Sequence, residues 1–238
     1  MKGIILAAGR GSRMKALTDS KPKCLVELNG KTLLDWQISS LRGAGLTELG
    51  IVTGYRRELL SGRGLVEFYN ARWAETNMVS SLECAREWLM AGPCIVSYSD
   101  IFYTSDAVTA LISSEASIAV TYDPNWLPMW ERRFGDPLLD AETFRLSDRN
   151  TLVEIGNKPK SADDVEGQYM GLLRFTPPGW KEVARIREEL DAYQRDDMHM
   201  TGTLQRVIDS GRIPIAAVPY AGEWGEIDSA DDLSEFTK

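Results

Sequence analysis

The stretch LAAGRGSR at positions 6–13 is the first place in this 238-residue chain where residue types and spacing could do chemistry. It closes a short apolar run and sets Gly9 and Gly11 among small side chains. Small residues let backbone N–H groups approach a phosphate chain, while Arg13 and the later Lys23 supply local positive charge. Two common templates fail here. Met14 stands where G-x-G-x-x-G needs its third glycine, and no G-K-[ST] follows. The missing glycine also disfavours an NAD oxidoreductase. Gly9 and Gly11 by themselves would equally describe a plain strand-to-loop turn.

The chain carries 27 Lys and Arg, 35 Asp and Glu, and a single histidine, His199, for a formal charge of -8. One histidine excludes a His-rich metal site and leaves charge chemistry to Asp, Glu, Lys and Arg. His199 has no partner signal and reads as structural or peripheral. An acidic balance without a run of Lys or Arg argues against a nucleic-acid partner, so any anionic ligand must be met by local cations. No apolar run approaches the roughly 20 residues of a membrane span, and Met1 leads straight into a strand-like run rather than a signal peptide. Cys24, Cys84 and Cys94 form no C-x-x-C pair, which reads as free thiols, buried as small hydrophobes, in a reducing compartment. The expected location is cytoplasmic.

Residues 2–8 suit a buried parallel strand, followed by a glycine loop over 9–13. Leu34, Ile38 and Leu41 fall at helical spacing within 32–44, and Gly43 and Gly45 mark the end. Strand-like runs follow at 49–53 and 65–69, an amphipathic helix at 78–89, a buried strand at 94–99, a helix at 106–113 and a strand at 117–121. This alternation predicts a doubly wound α/β sheet. Residues 122–140, with Trp126, Trp130, Arg132 and Arg133, read as an ordered loop or insertion. A hairpin is expected from 143–146 and 152–155, a strand at 168–175, helices at 177–194 and 201–210, and extended chain at 215–219. With no repeat or linker, residues 1–238 read as one domain, with a substrate-facing subregion at about 122–175.

The full pattern is more specific than its glycines. LAAGRGSR, Thr18, Pro22-Lys23, the 26–30 segment and Leu33-Leu34 together resemble the signature of nucleotidyltransferases that activate sugar phosphates and related compounds. TNMVSSL at 76–82, SYSD at 97–100, EIGNKP at 154–159, GQYMG at 167–171 and WGEID at 224–228 resemble the branch containing phosphocholine and phosphonate cytidylyltransferases. The resemblance implies a Rossmann-like α/β/α sandwich with a mostly parallel central sheet and a small substrate-facing β subregion. It implies CMP transfer from CTP to a small phosphorylated or phosphonate acceptor, with release of pyrophosphate. Candidate acceptors are phosphocholine, 2-aminoethylphosphonate or another phosphonate, and an amino-acid phosphate. A sugar 1-phosphate is the rival within the enzyme class, and a non-catalytic nucleotide-binding module the rival outside it. A homo-oligomer is left open.

Carried over residue by residue, the resemblance puts Leu6, Ala7, Ala8, Gly9, Gly11, Ser12 and Arg13 at the nucleotide, with Asn77 and Ser81 near the pyrimidine. Lys23 matches the lysine that contacts the phosphates, and with Arg13 it neutralises charge as pyrophosphate leaves. Asp100, at the carboxyl end of a buried strand, and Asp228 become Mg²⁺ ligands, since this hard ion prefers oxygen. Glu226, two residues before Asp228 and on the same strand face, is a third participant. Lys158, Trp130 and Glu226 are expected at the acceptor. The bland readings are a cap of the following turn for Asp100, helix caps for Asp228 (with Ser229) and Asn77, and an ordinary surface lysine for Lys158. For Trp126 and Trp130 the choice is between a cage for a quaternary ammonium and a hydrophobic lid. Arg132 and Arg133 would suit an acceptor with extra negative charge. An acceptor oxygen that is already anionic needs no general base, so catalysis rests on positioning and electrostatics.

Overall fold

The computed structural model describes residues 1–237. The apolar opening run forms β1 (Lys2–Ala7), buried along nearly its whole length. The chain then passes through the short strands β2 (Glu27–Leu28) and β3 (Lys31–Thr32) into helix α1 (Leu33–Gly43), whose first turn is capped by the Thr32 hydroxyl accepting from the Asp35 N–H. Strands β4 (Glu48–Thr53) and β5 (Val66–Tyr69), helices α2 (Met78–Glu83) and α3 (Arg86–Ala91), and strands β6 (Cys94–Tyr98) and β7 (Ile101–Tyr103) follow. Next come α4 (Ser105–Ile112), β8 (Ile118–Asp123), α5 (Leu127–Phe134), the hairpin of β9 (Phe144–Leu146) and β10 (Leu152–Ile155), and β11 (Gln168–Phe175). The chain closes with α6 (Pro177–Glu188), α7 (Ala192–Asp197), α8 (Met200–Ser210), β12 (Ile215–Pro219), β13 (Trp224–Glu226) and α9 (Ala230–Phe236).

Seven strands form one sheet in the order β12-β8-β11-β6-β1-β4-β5. All run parallel except β11, which pairs antiparallel with both β6 and β8. The expected α/β architecture with a mostly parallel sheet is therefore present. After β1 the chain builds outward through β4 and β5, then returns to the other side of β1 as β6. Between β1 and β6 lies the switch point of the strand order, where α/β sheets open a crevice at the carboxyl ends. Among the described residues no helix is long and apolar enough to cross a membrane.

Four local expectations change. The helix over 78–89 breaks near Cys84–Ala85, where Cys84 and Ala85 donate to carbonyls three residues back, at 3.1 and 2.9 Å. Leu82, Ala85 and Leu89 are all fully buried, so the apolar face survives the break. Residues 127–134 are helical rather than loop, because Trp126, Trp130 and Phe134 recur every four residues and pack as tilted or edge-on aromatic pairs. The helix expected to reach 194 stops at Glu188, and α7 restarts from Asp191 with a capping box to Gln194. Cys84 is exposed, whereas Cys24 and Cys94 are buried.

Strand β11 is irregular between Tyr169 and Leu173, and Gly171 there has φ +77°. A Cβ at Gly171 would sit 2.7 Å from the Tyr98 ring. Gly171→Ala therefore meets a left-handed backbone penalty and a clash together, and should lower the urea-unfolding free energy by about 2 kcal/mol. An unchanged midpoint would contradict this.

Candidate active site

Parallel neighbours β1 and β6 end side by side, with Leu6 opposite Tyr98. The glycine loop leaving β1 and Asp100 leaving β6 therefore start at adjacent points. Strand β13 pairs antiparallel with β7, Glu226 opposite Ile101, and the Ile227 N–H donates to the Asp100 carbonyl at 2.9 Å. That pairing brings a carboxylate from position 228 to one at position 100.

Lys23 joins the parts. Its side chain is buried, and its Nζ donates to Asp100 Oδ2 at 2.9 Å and to Asp228 Oδ1. Arg13 Nη1 lies 2.8 Å from Asp228 Oδ2. Gly11 has φ +71°, and a Cβ there would sit 2.7 Å from the Lys23 Cβ, so the glycine lets the lysine stem run directly beneath the loop. Burial pulls the Lys23 ammonium down, but the charges of Asp100 and Asp228 outweigh it and the net shift is upward.

One oxygen each of Asp100, Glu226 and Asp228 can be chosen so that all lie within 4.8 Å of one another. Burial first, then the charges of Asp228 and Asp100, push the Glu226 carboxyl up to about 8. Asp100 Oδ1 is buried and, among the described residues, has no hydrogen-bond partner. Oxygen-only donors, crowded negative charge and an orphaned carboxylate oxygen fit a hard divalent cation such as Mg²⁺. Capping does not explain these aspartates. Ser229 caps α9, and among the described residues the Asp100 carboxylate accepts only from Lys23 and from no backbone N–H of the turn that follows it.

A cavity of about 300 Å³ at the switch point is lined by Leu6, Ala8, Gly9, Gly11, Ser12, Arg13, Lys23, Asn77, Ser81 and Asp100. Ala7 is not among its walls and is buried within β1. Asn77 both lines this cavity and caps α2, its Oδ1 accepting from the Met78 N–H at 2.7 Å. Trp73, Thr76, Met78, Tyr98 and Ser99 complete the walls; of these only Trp73 lies outside every family-like motif of the sequence, and none of the five is among the expected site residues. A second cavity of about 340 Å³ shares Arg13, Met78 and Tyr98 with the first. Glu226, Asp228, Asp140, Glu142, Tyr169 and Trp224 also line it.

Several expected acceptor residues lie elsewhere. Trp130 is fully buried, stacked on Trp224 at 6.1 Å and edge-on to Trp126 at 6.3 Å, so it packs and cannot touch a ligand. Trp126 donates its indole N–H to the Val165 carbonyl at 3.1 Å, which removes the two-tryptophan cage. Lys158 donates to the Leu138 carbonyl and lines neither cavity. Arg132 pairs with Glu235 at 2.7 Å and Arg133 with Asp232 at 2.8 Å, so both cations are engaged within the chain. His199 is not peripheral: it lines the second cavity while its Nδ1 caps α8 by accepting from the Gly202 N–H at 3.2 Å.

The model of the MobA-like NTP transferase domain matches residues 3–159. The chain is 36% identical to a CTP:phosphoglutamine cytidylyltransferase of Campylobacter jejuni, covering 98% of each chain. It is 27% identical to a 2-aminoethylphosphonate cytidylyltransferase of Lancefieldella rimae, over 98% of this chain and 90% of the relative. Among solved structures, the inositol-1-phosphate CTP transferase of T. maritima superposes with TM-score 0.77 at 20% identity, over 97% of this chain and 90% of that one. The CTP:phosphocholine cytidylyltransferase of Streptococcus pneumoniae gives 0.70 at 22% identity, over 98% and 96%.

The Lys23 ammonium contacts both Asp100 and Asp228, so a divalent cation held by these aspartates would compete with it. Lys23→Met should therefore tighten Mn²⁺ binding to the nucleotide-free protein by about tenfold or more, since one unit charge at this range is worth more than the corresponding 1.4 kcal/mol. An EPR titration with Mn²⁺ reads this directly, and weaker or equal affinity would refute the competition.

Proposed function

The chain belongs to the MobA-like NTP transferase family, and from that premise we propose that it transfers CMP from CTP to a small phosphorylated acceptor, releasing pyrophosphate. The observation that carries this reading is that the glycine loop, Lys23 and Asp100 line one cavity while Lys23 also pairs with Asp228 in the wall of the adjoining one. A regulatory module that only held nucleotide would have no use for the three-carboxylate centre.

In this reading the loop's backbone N–H groups and Lys23 hold the triphosphate in the first cavity, and the acceptor occupies the second. Arg13, Met78 and Tyr98 are shared walls, so the α-phosphorus lies where the cavities meet and the acceptor oxygen approaches from the far side. A Mg²⁺ ion held by Asp100, Glu226 and Asp228 would supply Lewis-acid neutralisation of phosphate charge. Lys23 and Arg13 neutralise the negative charge that grows on the departing pyrophosphate. Asn77 and Ser81, which also line the first cavity, face the base in this reading. The acceptor oxygen is anionic, so no side chain has to remove a proton, and His199 is free to serve as a helix cap. Rate acceleration comes from positioning and a fixed electrostatic environment. The 122–175 region lines the second cavity through Asp140, Glu142 and the 168–171 segment, which supports reading residues 1–238 as one functional unit.

The second cavity also bears on the acceptor. Among the described residues no ion pair engages Asp140 or Glu142, and burial raises both carboxyls above their ordinary values. A phosphate dianion beside these walls is best accompanied by its own positive charge. Phosphoglutamine and 2-aminoethylphosphonate, the acceptors in the names of two relatives, each carry an amine. We therefore take the acceptor to be an aminated phosphate or phosphonate.

Pyrophosphate release measured with four NTPs, Mg²⁺ and a panel of aminated and sugar phosphates tests the reaction. Turnover is expected with CTP and an aminated acceptor; nucleotide binding without release for any acceptor would favour the module. Lys23→Ala and Asp100→Asn should each lower kcat by roughly 100-fold or more with the fold intact by circular dichroism, and near-normal turnover in either would sink the assignment. Glu142→Gln and Asp140→Asn should raise KM for the aminated acceptor by about tenfold, one lost charge contact, while leaving KM for CTP unchanged. Equal effects on both substrates would count against the amine contact.

A further inference from the structure

We infer that Arg133 is a positioning residue for the carboxylate centre, an inference that rests on the cation-binding reading of Asp100, Glu226 and Asp228. Arg133 lies in the last turn of α5. Its side chain is fully buried, with the guanidinium carbon 4.7 Å from the centroid of Trp130 and 4.8 Å from that of Phe134. It can touch neither CTP nor an acceptor. Its neighbour Arg132 is exposed and makes an ordinary surface pair.

The contacts of Arg133 lead to the site by two routes. Nη1 lies 3.5 Å from Glu226 Oε2, a direct contact with one of the three carboxylates. Nε donates to Asp232 Oδ1 at 2.8 Å. The other oxygen, Asp232 Oδ2, accepts from the backbone N–H of Asp228 at 2.9 Å and of Ser229 at 2.8 Å. One buried cation thus orients Glu226 directly and, through a single bridging carboxylate, fixes the backbone that carries Asp228. Asp232 is itself nearly fully buried, so neither link is diluted by water.

The planar fork of arginine matters here. A guanidinium presents donors at fixed angles and can meet two carboxylates at once, whereas an ammonium is a single point charge. A buried ion pair is weak evidence for a stabilising role, because desolvation cancels much of the attraction. A pair whose carboxylate reaches the backbone N–H of a proposed ligand residue is better accounted for by orientation of that ligand. Partners of this kind behind metal ligands typically alter metal affinity by 10–100-fold.

The test is Mn²⁺ titration of the nucleotide-free full chain by EPR, beside thermal unfolding and steady-state kinetics. Arg133→Lys should weaken Mn²⁺ by about tenfold or more, with excess Mg²⁺ restoring most of kcat. Asp232→Asn, which keeps the side-chain shape, should reproduce the loss, and it decides the question alone if Arg133→Lys does not fold. Folded variants with unchanged Mn²⁺ affinity and only a lowered thermal midpoint would overturn the assignment. Asp228→Asn in the same titration separates the two failures: if it lowers Mn²⁺ affinity while Arg133→Lys does not, only the positioning role falls. If Asp228→Asn also has no effect, the cation centre itself is wrong.

Discussion

Lys23 lies beneath the glycine loop with its ammonium between Asp100 and Asp228, and this buried ion cluster constrains how the rest of the chain can be arranged. Removing a carboxylate from water costs several kcal/mol unless cations and donors replace the lost solvent. Three carboxylates within 4.8 Å multiply that cost. The fold meets it from three directions: Lys23 from below the loop, Arg13 from the open side, and Arg133 from the core side behind Glu226. Lys23 and Arg13 thereby offset the charge of Asp100 and Asp228, while Glu226, whose carboxyl is pushed up to about 8 by burial and the charges of Asp228 and Asp100, is the member of the centre most readily neutralised.

The sheet order determines where such a cluster can form. Asp100 is brought to the glycine loop because β6 returns beside β1, and this needs only the parallel pairing of two apolar strands. Asp228 arrives by a different device, the short antiparallel pair of β7 and β13 outside the main sheet. That ladder is three residues long, too small to be stable on its own. It is held by the apolar cluster of Met14, Val26, Leu28, Leu33, Phe102 and Ile227, against which Phe236 of α9 also packs.

The parts of the site that were legible in the sequence are those carried by local pattern. Apolar runs give β1 and β6, loop composition gives the glycine loop that lines the first cavity, and a family-like spacing draws attention to Lys23, Asp100 and Asp228. Acceptor-side contacts are set instead by long-range packing. Trp130 looks like a ligand-facing aromatic until Trp224, 94 positions later, is seen stacked upon it. Lys158 follows a familiar motif, yet its ammonium is turned to a backbone carbonyl. Arg133 shows only as one of two adjacent cations, and nothing local says that one is buried and the other exposed. His199 is inconspicuous because its role depends on where α8 begins. Helix α5 was legible in principle, from the four-residue recurrence of Trp126, Trp130 and Phe134, but three prolines between 122 and 140 argued for loop. Pro128 stands in the first turn, where a helix tolerates it.

Met14, the residue that breaks the dinucleotide-binding template, explains why that template does not apply. It is almost fully buried and belongs to the same small apolar cluster as Ile227, which immediately precedes Asp228. A glycine at that position would remove the side chain that anchors the loop's far end to the layer carrying the second aspartate. The loop and Asp228 therefore share an apolar support as well as the Lys23 and Arg13 ion pairs. Neither can shift far without disturbing the other, and an electrostatic site gains rate from such fixed dipoles and charges because little reorganisation remains at the moment of transfer. The net charge of -8 is compatible with an anionic ligand for the same reason: three cations are committed to one cluster, and the remaining acidic surface lies outside it.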